Sequence, residues 1–223
     1  MKKSPILLFL AAIPLIAFPP SLAGSSRVAV TAKASTLGLG ADVAFKVAPK
    51  VALRLTGQTF SYDRSDTIDD VNYDIDLGLQ SFGALVDVHP FGGSFHVSAG
   101  LLANGNEADT VANLEPGEMY EIGDEIFTGA ELGDLTGTAD FDSTAPYVGV
   151  GWGNPFGRER RLGFAFGLGV IRQGVPDVSL AAENPLGDPT LDQALLDEAL
   201  AVEDDLESLE YFPVISAGLS IRL

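Results

Sequence analysis

Leu-Gly-Leu-Gly-Ala-Asp-Val-Ala-Phe-Lys-Val, residues 37 to 47, reads as two sequences interleaved. Leu37, Leu39, Ala41, Val43, Phe45 and Val47 make one; Gly38, Gly40, Asp42, Ala44 and Lys46 make the other. Successive side chains of a strand point to opposite faces, so this segment has one apolar face and one small or polar face. A soluble sheet turns its apolar face inward, against a second layer. A barrel in a bilayer does the reverse, with apolar residues outward to lipid and small or polar residues inward. The rest of the chain decides between them.

The same pattern recurs on both sides. Ala48-Pro49-Lys50 forms a tight turn, and Val51, Leu53 and Leu55 resume opposite Arg54, Thr56 and Gln58, as far as about Tyr62. A strand from Tyr73 to Val88 follows, with a change of phase near Ser81 that a β-bulge would produce. His89 to Ser94 is a second tight turn, and Phe95, Val97, Ala99, Leu101 and Ala103 alternate with His96, Ser98, Gly100 and Asn104. Thr138 to Gly153 and Leu162 to Val170 flank a third turn at Asn154-Pro155-Phe156-Gly157, and a last strand ends at Leu223. Arg27 to Lys33 supplies the further strand needed for an even count. The links at 63–72, 105–137 and 174–210 are long where the turns between them are short. Such asymmetry is that of an outer-membrane barrel, with short periplasmic turns and long outer loops.

Composition agrees. The chain is 46% apolar, with 25 glycines and no cysteine, and no later segment approaches a membrane-spanning helix. Lys2 and Lys3, the apolar run Ile6 to Phe18 and the exit Ser21-Leu22-Ala23 describe a signal peptide at 1–23, leaving 24–223 as one barrel domain. A bilayer accepts only helices and closed barrels, so apolar residues in short alternating segments imply a barrel there. The soluble alternative, a β-sandwich or lipocalin-like barrel, needs bulky residues on its inner face. Here one face is mostly Gly, Ala and Ser and would not fill a core alone. Aromatic residues fall near the expected water–lipid boundaries: Phe45, Phe91 and Trp152 toward one rim, Tyr62, Tyr73 and Tyr211 toward the other. The expected fold is all-β: an eight-stranded antiparallel transmembrane β-barrel with long acidic extracellular loops.

The segments STLGLGADVAF (35–45), HPFGG (89–93) and APYVGVGWGNPFG (145–157), with the terminal strand, resemble the small outer-membrane β-barrel proteins of Gram-negative bacteria. In the terminal strand, Gly218, Leu219, Ile221 and Leu223 resemble the signal read by the barrel-assembly machinery, although that family usually ends in Phe. The resemblance implies residence in the outer membrane, among its lipids and lipopolysaccharide, as a monomer. It fixes location better than activity.

Charge is uneven. Net charge is −18, and 28 of the 31 acidic residues lie within 63–76, 107–142 and 177–210, on the expected outer side. Lys46, Lys50, Arg158, Arg160, Arg161 and Arg222 lie by the inner rim. Asp63, Asp66, Asp69, Asp70, Asp74 and Asp76 are the densest acidic cluster. Carboxylates suit Ca²⁺ or Mg²⁺, but the spacing is not that of an EF-hand, and solvated acidic loops need no ligand. The last link carries a helix signal over 189–209, with Asp188-Pro189 at its start and Leu191, Leu195, Ala199, Val202, Leu206 and Leu209 on one face. Glu125 to Thr128 reads as part of a hairpin above the membrane.

An eight-stranded barrel is filled by side chains. Asp42, Arg54, Gln80, His96 and Arg172 are expected to form its polar lumen network. His96 and Ser98 share a face, as a base and nucleophile would, but lie at the periplasmic end and point inward, so no enzyme, cofactor or nucleic-acid partner is expected. Two readings of function remain. One is a structural or interaction barrel of the envelope with an acidic, cation-binding outer surface. The other is a narrow pore or small-ligand barrel of the porin-like group.

Overall fold

The computed structural model describes residues 27–68, 71–123, 125–156, 161–184, 187 and 189–223. The signal peptide, Asp69, Asp70, Arg158, Arg160 and Asp188 lie outside these. The wall of the barrel is built from β1 (Val28–Ser35), β2 (Gly38–Ala48), β3 (Val51–Ile68), β4 (Val71–Val88), β5 (Phe95–Asn104), β10 (Thr144–Trp152), β11 (Leu162–Arg172) and β13 (Tyr211–Arg222). Each pairs antiparallel with the next, and β13 returns to β1, so eight strands close the sheet. Within the span where all eight strands run side by side, closure pairs the in-plane backbone groups without water, as hydrocarbon demands. β13 is the closing strand: Leu219 lies opposite both Ala32 and Phe164, and the Leu223 N–H donates to the Val28 carbonyl at 3.0 Å.

Exposure follows the parity of the sequence. Leu39, Phe82, Leu101 and Phe164 stand out from the wall, Leu39 70% and Phe164 82% exposed. Single exposed apolar residues are ordinary, but a continuous belt of them around every strand needs an apolar solvent. At the periplasmic end the rings of Phe91, Phe95, Trp152 and Phe166 form a chain with centroids 5.6–6.2 Å apart.

Four further strands stand above the barrel: β6 (Glu107–Asn113), β7 (Met119–Ile122), β8 (Glu125–Thr128) and β9 (Leu135–Asp140), with β12 (Asp177–Ala182) beyond β11. β6, β9 and β12 continue β5, β10 and β11 after short interruptions, in the same neighbour order. The wall therefore rises above the membrane from β3 through β4, β6 and β9 to β12, while β13, β1 and β2 stop at the rim. Thr138 to Asp140 and Thr144 to Trp152 are thus two strands where one was expected. The link 63–72 is not a loop: β3 and β4 pair without a break from Val51–Val88 to Ile68–Val71. The outer link between β1 and β2 is only Thr36-Leu37.

No bulge occurs at Ser81, since β4 keeps one register with β3 throughout and one with β5 and β6. The change of phase has another cause. Below residue 80 the outside of the sheet is lipid, and Phe82, Ala84, Val86 and Val88 face it. Above that level the outside is water, so Asp74, Asp76 and Gln80 face out, while Tyr73, Ile75, Leu77 and Leu79 turn to the inner, half-buried side. The pattern inverts because the solvent does.

That inner side is partly roofed. α1 (Gly129–Leu132), the β7–β8 hairpin and α2 (Leu191–Leu206) bury Ile122, Phe127, Leu132, Leu191, Ala194 and Leu195 against Leu135, Leu180 and Ala182. α2 is shorter than the 189–209 expected: Thr190 is its N-cap and a 3-10 turn follows at Glu207–Glu210. Leu191, Leu195 and Ala199 are its buried face, whereas Leu209 is exposed. Among the described residues no helix is long and apolar enough to cross a membrane.

Candidate functional site

The lumen is filled in two layers. The lower is ionic. Arg54 on β3 reaches Asp87 on β4 through Nε and Nη2, both at 2.8 Å, and Asp42 on β2 through Nη1 at 3.4 Å. Lys33 on β1 bonds the other oxygen of Asp42 at 2.8 Å and donates to Thr56 at 2.7 Å. Ser98 on β5 donates to Asp87 at 2.6 Å and accepts from Arg54 at 3.1 Å. Each buried charge has an opposite partner, and Lys33, Arg54 and Asp87 add hydrogen bonds to Thr56 or Ser98, while Asp42 is held by its two cations alone.

The upper layer is apolar. Leu37 from the β1–β2 turn meets Leu85, Leu102, Ala145, Tyr147, Ile171 and Val214, with Phe212 packed against them. Leu37 is 1% exposed. Its expected lipid-facing position is wrong because β2 begins only at Gly38 and the turn tucks Leu37 into the barrel mouth. Phe212 likewise points inward rather than to the outer rim.

Glycine makes these layers possible. A Cβ on Gly169 would lie 2.5 Å from the Tyr147 hydroxyl, and one on Gly151 would lie 2.4 Å from Nε2 of His96. The bare side of β10 and β11 is the seat for large side chains. One strand supplies bulk and its neighbour supplies room.

Among the expected lumen residues, Asp42, Arg54 and His96 face inward. Gln80 and Arg172 do not. Gln80 shares the parity of Phe82 and is exposed, and Arg172 lies on the outward face of β11, paired with Glu210 at 2.7 Å. The residues that complete the layer, Lys33, Thr56, Asp87 and Tyr147, carry the inward parity of their strands and were legible by that rule. Among the expected girdle residues, Phe45, Trp152 and Tyr211 take the outward face, and Phe91 is in the periplasmic turn. Tyr62 and Tyr73 are not girdle residues: both lie on the inner face of the β3–β4 hairpin, above the rim.

Three buried amides close the seam between barrel and extracellular sheet. Where β5 gives way to β6, Asn106 Oδ1 accepts the Gln80 N–H at 3.2 Å and its Nδ2 donates to Gln173 at 2.8 Å. Asn104 donates to the Asp142 carbonyl at 3.0 Å. Side-chain amides here replace ladder bonds lost at the interruptions.

Below the ionic layer a cavity opens toward the periplasm, lined by Lys33, Arg54, Asp87, His89, His96 and Ser98. The rings of His89 and His96 are 5.1 Å apart. The hydroxyl of Ser98 is committed to Asp87 and Arg54 while His96 contacts the Ser94 carbonyl, so the two are not arranged as nucleophile and base. On the outer face of the extracellular sheet, Asp63 lies opposite Asp76, and Asp76 opposite Asp109. Partial loss of hydration, then repulsion from Asp63 and the hydrogen bond that protonated Asp76 donates to it, then the charges of Asp109 and Asp74, hold the Asp76 carboxyl above its usual range. Asp69, Asp70 and the side chain of Asp66 lie outside the described part of the cluster. Among the described residues no group of three or more His, Asp or Glu is placed to hold a metal.

The closed eight-stranded barrel matches the fold of solved outer-membrane proteins. The chain is an outer-membrane β-barrel. It is similar to CarO2 of Acinetobacter baumannii, with a TM-score of 0.59 and 25% identity over 88% of this chain and 98% of that one. CarO of the same organism gives 0.56 and 21% over 88% and 98%. A major outer membrane protein of Thermus thermophilus gives 0.41 and 13% over 88% and 99%. No protein-family model and no curated protein sequence matches the chain.

Proposed function

We propose that this barrel is a non-conducting, non-enzymatic scaffold that anchors an acidic extracellular surface in the outer membrane for interactions at the cell envelope. The observation that carries this reading is the double filling of the lumen. An ion approaching from outside meets Leu37, Leu102, Ile171 and Val214 before any polar group. It would have to shed its hydration shell without replacement, which costs far more than thermal energy supplies. Beneath them the cations Lys33 and Arg54 are already neutralised by Asp42 and Asp87. The molecule is proposed to act as a monomer among lipopolysaccharide and lipid, delivered by the barrel-assembly machinery through Gly218, Leu219, Ile221 and Leu223. Ca²⁺ or Mg²⁺ would act as diffuse counter-ions of the acidic surface, relieving its self-repulsion. The competing reading is a narrow pore. Planar-bilayer recording of the refolded protein decides between them: a silent membrane is expected, and reproducible single-channel steps would overturn the scaffold reading.

A further inference from the structure

The extracellular sheet has two edges, and they are treated differently. At one edge, β12 is covered by α2, and the Val178 N–H donates to the Glu203 carboxylate of that helix at 2.9 Å. At the other edge, β2 ends at Gly38, opposite Thr59 and Phe60, and β3 runs on to Ile68 with β4, among the described residues, as its partner on one side only. Ideal Cβ atoms on Gly38 and Gly40 would strike the carbonyl oxygens of Thr59 and Gly57, so odd-numbered residues of β3 aim their in-plane groups toward β2. Above Thr59 the same alternation aims the N–H and C=O of Ser61, Asp63 and Ser65 at the open edge. Every residue from Thr59 to Ser65 is exposed. A long unpaired edge is a template for another strand, and proteins ordinarily cover or blunt it, as α2 does for β12.

We infer that the open edge of β3 receives an extended polypeptide segment in which cationic and apolar residues alternate. The chemistry on each face selects it. On the outer face a partner strand would lie beside Asp63, with Asp76 and Asp109 in the same row. On the inner face it would lie beside Phe60 and Tyr62, whose rings stack at 6.5 Å and 7° and are 42% and 45% exposed. Lys or Arg therefore fits at one parity and an apolar residue at the other. A second copy of this chain is disfavoured, because two β3 edges would set Asp63 and its neighbours against like charge. Strand addition supplies main-chain bonds for affinity and alternate side chains for specificity. The inference rests on the interaction reading above and names its partner.

The test uses the full chain in lipid nanodiscs and three synthetic peptides of about nine residues, alternating Lys-Val, Lys-Pro or Glu-Val. Lys-Pro keeps the charge but lacks the N–H groups of a strand. Lys-Val should bind about tenfold or more tightly than Lys-Pro at equal ionic strength. It should slow amide exchange at Ser61, Asp63 and Ser65, and Asp63→Asn with Asp76→Asn should weaken it. Equal binding of Lys-Val and Lys-Pro, tight binding of Glu-Val, or exchange protection confined to β12 would each overturn the proposal. Channel activity in the bilayer recording would refute the scaffold reading without touching this result, so the two failures are distinguishable.

Discussion

Arg54 and Asp87 are joined by two parallel hydrogen bonds, Nε to Oδ2 and Nη2 to Oδ1, each 2.8 Å long. The pair is fixed on adjacent strands and walled from water above by the apolar layer. Removing Asp87 takes away the bidentate partner and leaves Arg54 only the longer contact to Asp42, with water reaching it only from the periplasmic cavity. Asp87→Ala should therefore destabilise the barrel by about 3–5 kcal/mol, whereas Arg54→Met with Asp87→Leu should cost much less. Asp42 keeps Lys33 in the double variant. Urea unfolding in lipid vesicles gives the comparison, and equal costs would mean that packing, not charge, sets the effect.

Phe166 faces lipid beside Trp152, at 6.2 Å between rings. Phe166→Arg, on the lipid face but level with the Trp152 rim, should cost about 1–2 kcal/mol, between the about 2–4 kcal/mol of a mid-bilayer site and the near-zero cost at the headgroups. Thr136→Arg, on the exposed outer face of β9, should cost little. Equal costs for Phe166 and Thr136 in equilibrium refolding would reverse the inside–outside assignment.

Gly169 is the floor under Tyr147. Gly169→Ala places a methyl carbon 2.5–2.7 Å from the tyrosine oxygen and ring, so one of them must move. A cost of about 1–3 kcal/mol is expected from overpacking. Combining Gly169→Ala with Tyr147→Leu should cost less than the sum of the single changes, because the two residues share one space. Strict additivity would separate them.

Asp76 titrates against its neighbours. Its folded pKa is raised, so the folded hairpin retains the proton at pH values where the unfolded chain has lost it. Stability of the β3–β4–β6 region then falls as pH rises through that raised pKa, with the full penalty present at neutral pH. Asp76 is exposed, so its acidic neighbours are what a substitution can change. Protection factors for amides in 71–78 should be higher near about pH 4, in the ordinary Asp range, than near about pH 7, and Asp76→Asn should flatten the difference. A pH-independent profile in the unmodified protein would show that salt and water already screen the row.

Parity carried most of the fold. Once Leu39, Val43 and Phe45 are read as outward, Asp42 and Ala44 must point inward, and the same rule places Lys33 and Asp87 in the lumen. It also excludes Gln80, which shares parity with Phe82, and Arg172, which shares it with Phe166. What parity does not reveal is which medium lies on each side. The Tyr73–Gln80 segment alternates as regularly as Leu85–Val88, and only the level of the membrane surface explains why its apolar residues are the inner ones. The ion-pair partners were hidden for a different reason. Asp87 meets Arg54 because of the register in which β3 pairs with β4, which the parity of either strand alone does not reveal.

The inversion at residue 80 also guards the alignment of β3 and β4. A slip by one residue turns every side chain to the opposite face. In the lower half it would push Asp87 into lipid and Phe82 into the lumen. In the upper half the same slip would turn Ile75 and Leu77 outward to water and Asp74 and Asp76 inward. Two opposed environments thus proofread a single hairpin, and an alignment shifted by one residue satisfies neither of them.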